Sequence, residues 1–506
     1  MRRPAFLDRQ PPTGLRRSVL IVAGGALLGL SYPPFPFAPL AWLALVPLLL
    51  LWLEHSSART AFVDAYAAFL ITFAIAFQWP LLHLNAGTAL LSLPGLLVIP
   101  MWMAIPFGLS HLLRRRAGPA IALLGFAALF VSMEWGLRRG PFAVPWSLLG
   151  HSQSDLAPLN RLARLGGVPL LTAYVLVLNL LAFSFVSELR RLRRPLAALA
   201  IAGLLAAVVL RSFDRTAARY GEALRIGIVQ PAVTASTWAD LYDPARLEVL
   251  LTLSDSLLAS TDADTSSIDL VVWPETALPP GDAASRRLLR EWVDAHGVPL
   301  LAGAVEDASG SYFNAALLFR PHEDGAVYRK RRLVPFAEHV PFQSRWRWVR
   351  RLAVPSGGVA GYVPGSTGNL LEIPEARFGV LICFETLFDD AARAYARRGA
   401  DLIVAITQDG WWGDSFGYRQ HFAFNRLRAI ETGRSVVQVS VSGLSAVIDP
   451  NGASGVRYGW MERRADAVVV RAGTTDTLFM KTGDWLSPLA FAASLLMAFV
   501  ALLYRR

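Results

Sequence analysis

The sequence predicts a polytopic α-helical membrane bundle of about eight spans joined to one α/β domain. Three observations lead there. Of the 506 residues, 54% are hydrophobic and only 17% charged, with a mean hydropathy of +0.40; an ordinary soluble domain carries about a quarter charged residues. Apolar segments of roughly 15 to 25 residues, near the length that crosses a bilayer, recur through the N-terminal part and once more at the C-terminal end. Between them one polar stretch, residues 222–474, alternates strand-like with helix-like patterns.

The expected spans are residues 17–30, 39–53, 60–82, 88–113, 119–137, 168–187, 195–210 and 487–504. The first, second and seventh are short. Pro33-Pro34-Phe35-Pro36 separates the first two, because consecutive prolines cannot continue a helix. No A-x-A-like site follows the first span, so it reads as a span rather than a cleaved leader. The implied organisation is a bundle of about seven spans over 1–221, the α/β domain over 222–474, and a linker with the last span over 475–506.

Basic residues set the orientation. Arg2, Arg3, Arg9, Arg16, Arg17, Arg59, Arg114–Arg116, Arg190, Arg191, Arg193, Arg194, Arg505 and Arg506 fall on one side when crossings are counted. Only Arg138, Arg139, Arg161 and Arg164 lie in short loops on the other. By the positive-inside rule both termini are cytoplasmic and the polar domain is outside. The formal charge of +11 therefore reads as topology, and nucleic acid is not expected as a partner.

Within the domain, strands are expected at 224–230, 268–273, 299–305, 315–320, 326–329, 378–382, 402–407, 435–440, 446–448 and 467–470. Asp243 with Pro244 opens a helix, Gly297 closes another, a third starts just after Cys383 and stops near Gly399, and a fourth runs over 418–432. His322-Glu323-Asp324-Gly325 reads as a hairpin turn.

Chemistry gathers at strand ends, where α/β domains collect active-site groups. Cys383, the one cysteine of the chain, closes an apolar strand and opens a helical pattern. A thiol at a helix start is drawn toward the thiolate; a lone cysteine after an apolar strand also serves as an inert core residue. Both readings are open from spacing alone. Glu275 ends the strand before Trp273-Pro274-Glu275, where an apolar pocket would raise its pKa and suit it as a base; a solvated turn glutamate is the other reading. Lys330 stands inside Arg329-Lys330-Arg331-Arg332 in a chain whose only other lysine is Lys481. It is either a leftover or a compact ammonium that a planar guanidinium cannot replace. The single cysteine excludes an intrachain disulfide and a cysteine-rich metal site.

Taken together, Trp273-Pro274-Glu275, Lys330 through Glu338, and Cys383-Phe384-Glu385 resemble, in order, the Glu–Lys–Cys segments of the nitrilase superfamily. Trp411-Trp412-Gly413-Asp414-Ser415, Gln420-His421, residues 426–434, Lys481 through Trp485, Glu134-Trp135 and Pro145-Trp146 narrow the likeness to the apolipoprotein N-acyltransferases. The resemblance runs over nearly the whole chain.

It implies a nitrilase-like αββα sandwich facing the periplasm on a bundle in a bacterial inner membrane. Cys383 would attack a phospholipid ester and hold the acyl chain as a thioester, with Glu275 as base and Lys330 at the oxyanion. The α-amino group of an apolipoprotein's diacylglyceryl-cysteine would then take the acyl chain in a ping-pong reaction. Glu338, Glu385, Phe384 and Trp238 match supporting positions. No cofactor and no metal are implied, and the chain is expected to act as a monomer. The Trp–Arg mixture of Ser344 through Arg351 suits an interfacial anchor. Trp346 and Trp348, with Trp411 and Trp412, are thus candidates for lipid access.

Departures from the family pattern are Gln408 and Gly410 in Thr407-Gln408-Asp409-Gly410, Val441 in place of an expected Asn, Phe384 in place of Tyr, and Thr237 in place of a basic residue. Three rivals remain at this stage. One is a membrane-tethered amidase or nitrilase with the same three residues. Another is a Cys–His hydrolase using His339 or His421. The last is a transporter or scaffold with a degenerate outer domain, for which a transport path would be marked by Asp64 and Glu134.

Overall fold

The computed structural model describes residues 13–82, 86–187, 189–216, 220–241, 243–260, 267–342, 361–473 and 475–503. Contacts divide the chain into two compact units. One comprises Met1–Leu82, Ala89–Ser212 and Thr482–Arg506; the other comprises His83–Thr88 and Phe213–Lys481.

The first unit is helical. Among the described residues six helices are long and apolar enough to cross a membrane: Ala58–Ala76, Ser92–Ala117, Pro119–Leu137, Leu159–Val186, Arg190–Arg211 and Leu486–Leu503. They correspond to the third through eighth expected spans. The first two expected spans are shorter than a bilayer requires. Helix Gly14–Gly29 has 16 residues, about 24 Å at 1.5 Å per residue, against a hydrocarbon core of about 30 Å. The second is broken into a 3₁₀ turn, Ala38–Trp42, and a helix, Val46–Glu54. Asn179 makes the break tolerable. Its Nδ2 donates to the Ala41 carbonyl at 2.7 Å and its Oδ1 accepts from Leu45 N at 2.9 Å, so the freed backbone groups are not left bare in an apolar setting.

The charges that a transporter would need are engaged. Asp64 bonds Arg17 and, at 2.8 Å, His55. Glu134 accepts from Leu149 N at 2.5 Å and Thr172 Oγ1 at 2.6 Å, capping the turn Leu149–Gln153.

The second unit is four layers deep. Its strands are β1 Tyr220–Gln230, β2 Leu270–Val272, β3 Leu300–Ala308, β4 Ser311–Arg320, β5 Glu323–Arg329, β6 Leu371–Ile373, β7 Ala376–Ile382, β8 Leu402–Thr407, β9 Ser435–Ser440, β10 Ser445–Ile448, β11 Ser454–Tyr458 and β12 Arg464–Gly473. One six-stranded sheet has the order β12-β1-β2-β3-β4-β5, the other β11-β10-β9-β8-β7-β6. Each has a parallel centre, β1-β2-β3 or β7-β8-β9, flanked by antiparallel strands.

The strand period of two sorts the core. Leu270 and Val272 join Ile226, Ile228, Phe378, Val380, Val404 and Val437 between the sheets. Val271 faces the other way, toward Leu250, Leu257, Leu289 and Val293 of helices Pro244–Ala259 and Ala283–His296. Helices Asp389–Arg397 and Phe416–Thr432 cover the second sheet. Burial on both faces is why the central strands read as unbroken apolar runs. Gly379 on β7 shows how close the helix layer lies, since a Cβ there would stand 2.2 Å from Tyr395 Cγ.

Three expectations differ. The hairpin turn falls at Pro321-His322 rather than 322–325, because Pro321 has no N–H for the ladder and β5 resumes at Glu323. Strands β6 and β11 were not expected; both are short edge strands with little periodicity to read. The third helix does not start after Cys383. A 3₁₀ turn, Cys383–Leu387, comes first, Phe388 is extended, and the helix begins at Asp389.

Candidate functional site

The site is built at the C-terminal ends of parallel strands. Glu275 follows β2, Cys383 follows β7, and Lys330 follows β5, which enters from the antiparallel flank. All three are buried: Glu275 is 4% exposed, Lys330 1% and Cys383 8%.

Lys330 joins two carboxylates. Its Nζ donates to Glu338 Oε1 at 2.7 Å and to Glu275 Oε1 at 3.2 Å. Asn314, in the middle of β4, donates Nδ2 to the same two oxygens at 2.7 Å for Glu275 and 3.0 Å for Glu338. The outer oxygens are held by backbone: Gln408 N donates to Glu275 Oε2 and Val334 N to Glu338 Oε2, both at 2.8 Å. Glu275 therefore does not sit in an apolar pocket, as its strand suggested; each of its oxygens receives a hydrogen bond. Among the described residues, Nζ uses two of its three hydrogens, which leaves one for a developing oxyanion.

Burial works against the Lys330 ammonium, but Glu275, Glu338 and Cys383 outweigh it and hold its pKa well above the ordinary lysine value. For Cys383 the balance runs the other way. Burial pushes the thiol up, Glu275 adds to that, and Lys330 opposes it; the net shift is well above the ordinary thiol value. The resting sulfur is a thiol. The expected help from a helix start is missing, because the turn after Cys383 is 3₁₀ and the helix begins six residues later. Deprotonation must therefore coincide with transfer to a base.

Glu385 ties two of the three strand ends together. It accepts from Ile382 N at 2.9 Å, just before Cys383, and from Arg331 N at 2.8 Å and Arg332 N at 3.1 Å, just after Lys330. The Tyr328 hydroxyl donates to both of its oxygens at 2.8 Å. Burial pushes its carboxyl up, against those hydrogen bonds. The bond back to Ile382 N is the capping contact of the 3₁₀ turn Cys383–Leu387. Cys383 itself has φ of 49°, a left-handed conformation rare for a non-glycine residue.

The other expected residues find definite places. Trp238, in the short helix Ala235–Ala239, donates Nε1 to the Glu275 carbonyl at 3.1 Å and to Thr276 Oγ1 at 3.0 Å. The Arg246 guanidinium lies 4.2 Å over its ring and bonds the Thr276 carbonyl. Phe384 packs edge-on against Phe388 with centroids 5.4 Å apart. Trp411 and Trp412 are half-buried in the turn Asp409–Trp412, and the Trp412 ring stands 5.3 Å from His421. Trp346 and Trp348 lie outside the described residues. His421 does not face the sulfur as a Cys–His base would: its Nε2 is 3.1 Å from the Cys383 carbonyl and 2.6 Å from Thr386 Oγ1. Among the described residues no group of three or more His, Cys, Asp or Glu side chains could hold a metal ion.

Asn314 and Tyr328 were not anticipated from the sequence. The available signal was an amide in an otherwise apolar stretch, Ala315-Ala316-Leu317-Leu318 following it directly. Gly303 is another such residue. A Cβ there would lie 2.2 Å from the Pro274 carbonyl and 2.6 Å from Glu275 Cα. Gly303→Ala should cost about 1–3 kcal/mol of stability by overpacking, read as a lower Tm. It should also slow turnover by up to about 10²-fold, because the Glu275 turn must move.

Comparison with known proteins follows the same division of the chain. Residues 225–472 match the carbon-nitrogen hydrolase family. Residues 24–181 match the apolipoprotein N-acyltransferase N-terminal domain. The chain is 33% identical to the apolipoprotein N-acyltransferase of Azotobacter vinelandii, over 97% of this chain and 95% of that one. It is 32% identical to that of Gloeobacter violaceus, over 97% and 96%, and 27% identical to that of Chlorobaculum tepidum, over 96% and 97%.

Proposed function

The chain belongs to the apolipoprotein N-acyltransferase family, a membrane acyltransferase with lipid and lipoprotein substrates, and from that premise we propose that Cys383 carries the acyl chain. The ring of Lys330, Glu275, Glu338 and Asn314 beside a buried thiol is the observation that supports this reading. Glu275 takes the thiol proton as sulfur attacks the ester carbonyl of a phospholipid. The oxygen becomes an oxyanion beside the Lys330 ammonium. Collapse breaks the ester C–O bond, and the leaving lysophospholipid oxygen takes the proton from Glu275.

The thioester left on Cys383 is reactive enough to acylate an amine. The α-amino group of a diacylglyceryl-cysteine at an apolipoprotein's N terminus attacks it and passes a proton to Glu275. The C–S bond breaks, and that proton returns to sulfur. The product is an amide and the reaction is ping-pong. Glu338 holds Lys330 in place, while Glu385 holds the ends of β5 and β7 together.

We place the enzyme in the bacterial inner membrane with the α/β domain periplasmic and both termini cytoplasmic; the arginine asymmetry of the short loops supports this. Intact-mass measurement tests the chemistry. Purified enzyme exposed to phospholipid vesicles should gain one acyl mass on Cys383, and a diacylglyceryl lipopeptide with a free amine should discharge it. No acyl adduct would overturn the reading. Discharge by water at the same rate without the amine would make the chain a hydrolase.

A further inference from the structure

Around Cys383 lies a second buried polar set that the reaction above does not use. In the parallel pairing of β7 with β8, Ile382 lies opposite Ile406, so the next residues, Cys383 and Thr407, are neighbours. The Thr407 side chain draws the Cys383 thiol down against burial, as a hydroxyl beside the sulfur would, and its hydroxyl donates to Asp409 Oδ1 at 2.6 Å. Asp409 Oδ1 is 3.2 Å from His421 Nδ1. Asp409 and His421 are fully buried, and Thr407 is 1% exposed. His421 returns to Cys383 through its carbonyl and to Thr386. Sulfur, Thr407, Asp409, His421 and the Cys383 carbonyl thus form a closed loop.

A hydroxyl has one hydrogen to give. An ionised carboxylate can only accept, so that hydrogen points at Asp409 while the sulfur keeps its own proton. A thiolate can only accept as well. Once the sulfur is charged, the hydrogen is worth more there, because a hydrogen bond to a desolvated anion is about twice as strong as a neutral one. Asp409 is not left bare by the change, since His421 Nδ1 remains on Oδ1.

We propose that Thr407 is a further catalytic residue, its hydroxyl turning from Asp409 to the Cys383 sulfur as the thiol proton passes to Glu275. No bond of Thr407 breaks. The proton moves from sulfur to a Glu275 oxygen, and only the acceptor of the Thr407 hydrogen changes. His421 is a positioning residue that keeps Asp409 partnered and bonds the carbonyl of a strained residue. This rests on Cys383 as nucleophile and Glu275 as base.

Because Cys383 is the only cysteine in the chain, alkylation of the intact protein by iodoacetamide, followed by mass, reports on this sulfur alone. At fixed pH and a temperature where both are folded, Thr407→Val should react about tenfold more slowly than the parent, the loss of one hydrogen bond to a charged group. Thr407→Ser should react within about twofold of it. Should the valine variant fail to fold, Thr407→Ala and Thr407→Ser differ by the hydroxyl alone and read the same effect. A valine or alanine variant that reacts at the parent rate overturns the proposal, as does a serine variant as slow as the valine one. A hydroxyl-dependent rate in an enzyme that forms no acyl adduct from phospholipid would sustain the role of Thr407 and remove the acyl-donor reading.

Discussion

Lys330→Met should lower the stability of the α/β domain by about 3–5 kcal/mol, because it breaks a buried ion pair from one side. Without the ammonium, Glu275 and Glu338 keep only the Asn314 amide between them, two carboxylates buried with no counter-charge. Acyl transfer should fall further still, since the oxyanion loses its cation, a change of about 10²–10³-fold in comparable sites. Lys330→Arg should not rescue it. The residue is 1% exposed and its nitrogen is held from two directions at 2.7 and 3.2 Å, which leaves no room for a planar fork.

The pH dependence follows from the sign of the shift. The folded-state pKa of Lys330 is raised above its ordinary value of 10.5. The stabilisation is therefore complete below that value and is lost only as pH rises through the folded one. Denaturant melts of parent and Lys330→Met should differ by a constant amount across neutral pH and converge only in strong alkali. A gap that closes near pH 7 would mean that Lys330 is not the charged partner described here.

Cys383→Ala should abolish acyl transfer, a loss on the order of 10⁶-fold, the scale seen when a nucleophile that works as a unit with its base is removed. The acyl adduct should vanish altogether. Stability should change by no more than about 1 kcal/mol, since one sulfur is lost and nothing charged is orphaned. Cys383→Ser is the sharper version. A hydroxyl has no pKa that Glu275 can overcome, and the resting thiol is already pushed up by burial and by Glu275. If either variant still transfers acyl chains at a substantial rate, the chain passes directly from donor to amine and the thioester reading falls.

The residues that the sequence brought forward differ in how they could be read. Cys383, Glu275 and Lys330 each follow a strand whose apolar run is visible in the chain, and rarity singled out the first and last. Glu338, Glu385, Phe384 and Trp238 came only with the family resemblance. Asn314 and Tyr328 were hidden inside β4 and β5, where an inward polar side chain looks like an interruption of the pattern. Thr407, Asp409 and His421 carried no readable signal as a set, because their meeting depends on how β8 and helix Phe416–Thr432 lie against the turn after β7.

What the sequence determined on its own are the local, one-dimensional properties. Bilayer length sets how long an apolar span must be, and burial on both faces makes a central strand an unbroken apolar run; both can be counted along the chain. The membrane character and most strand positions follow from that, while the three motif segments came with the family resemblance. The tertiary structure decided the rest. Glu275 and Lys330 are 55 positions apart and Glu275 and Gln408 133 apart, and no local pattern specifies which buried donor meets which acceptor. It also decided between the two states that spacing left open for Cys383. A helix start would have favoured the thiolate, but Cys383 opens a 3₁₀ turn and the helix begins only at Asp389, and burial keeps the proton on sulfur until a base takes it.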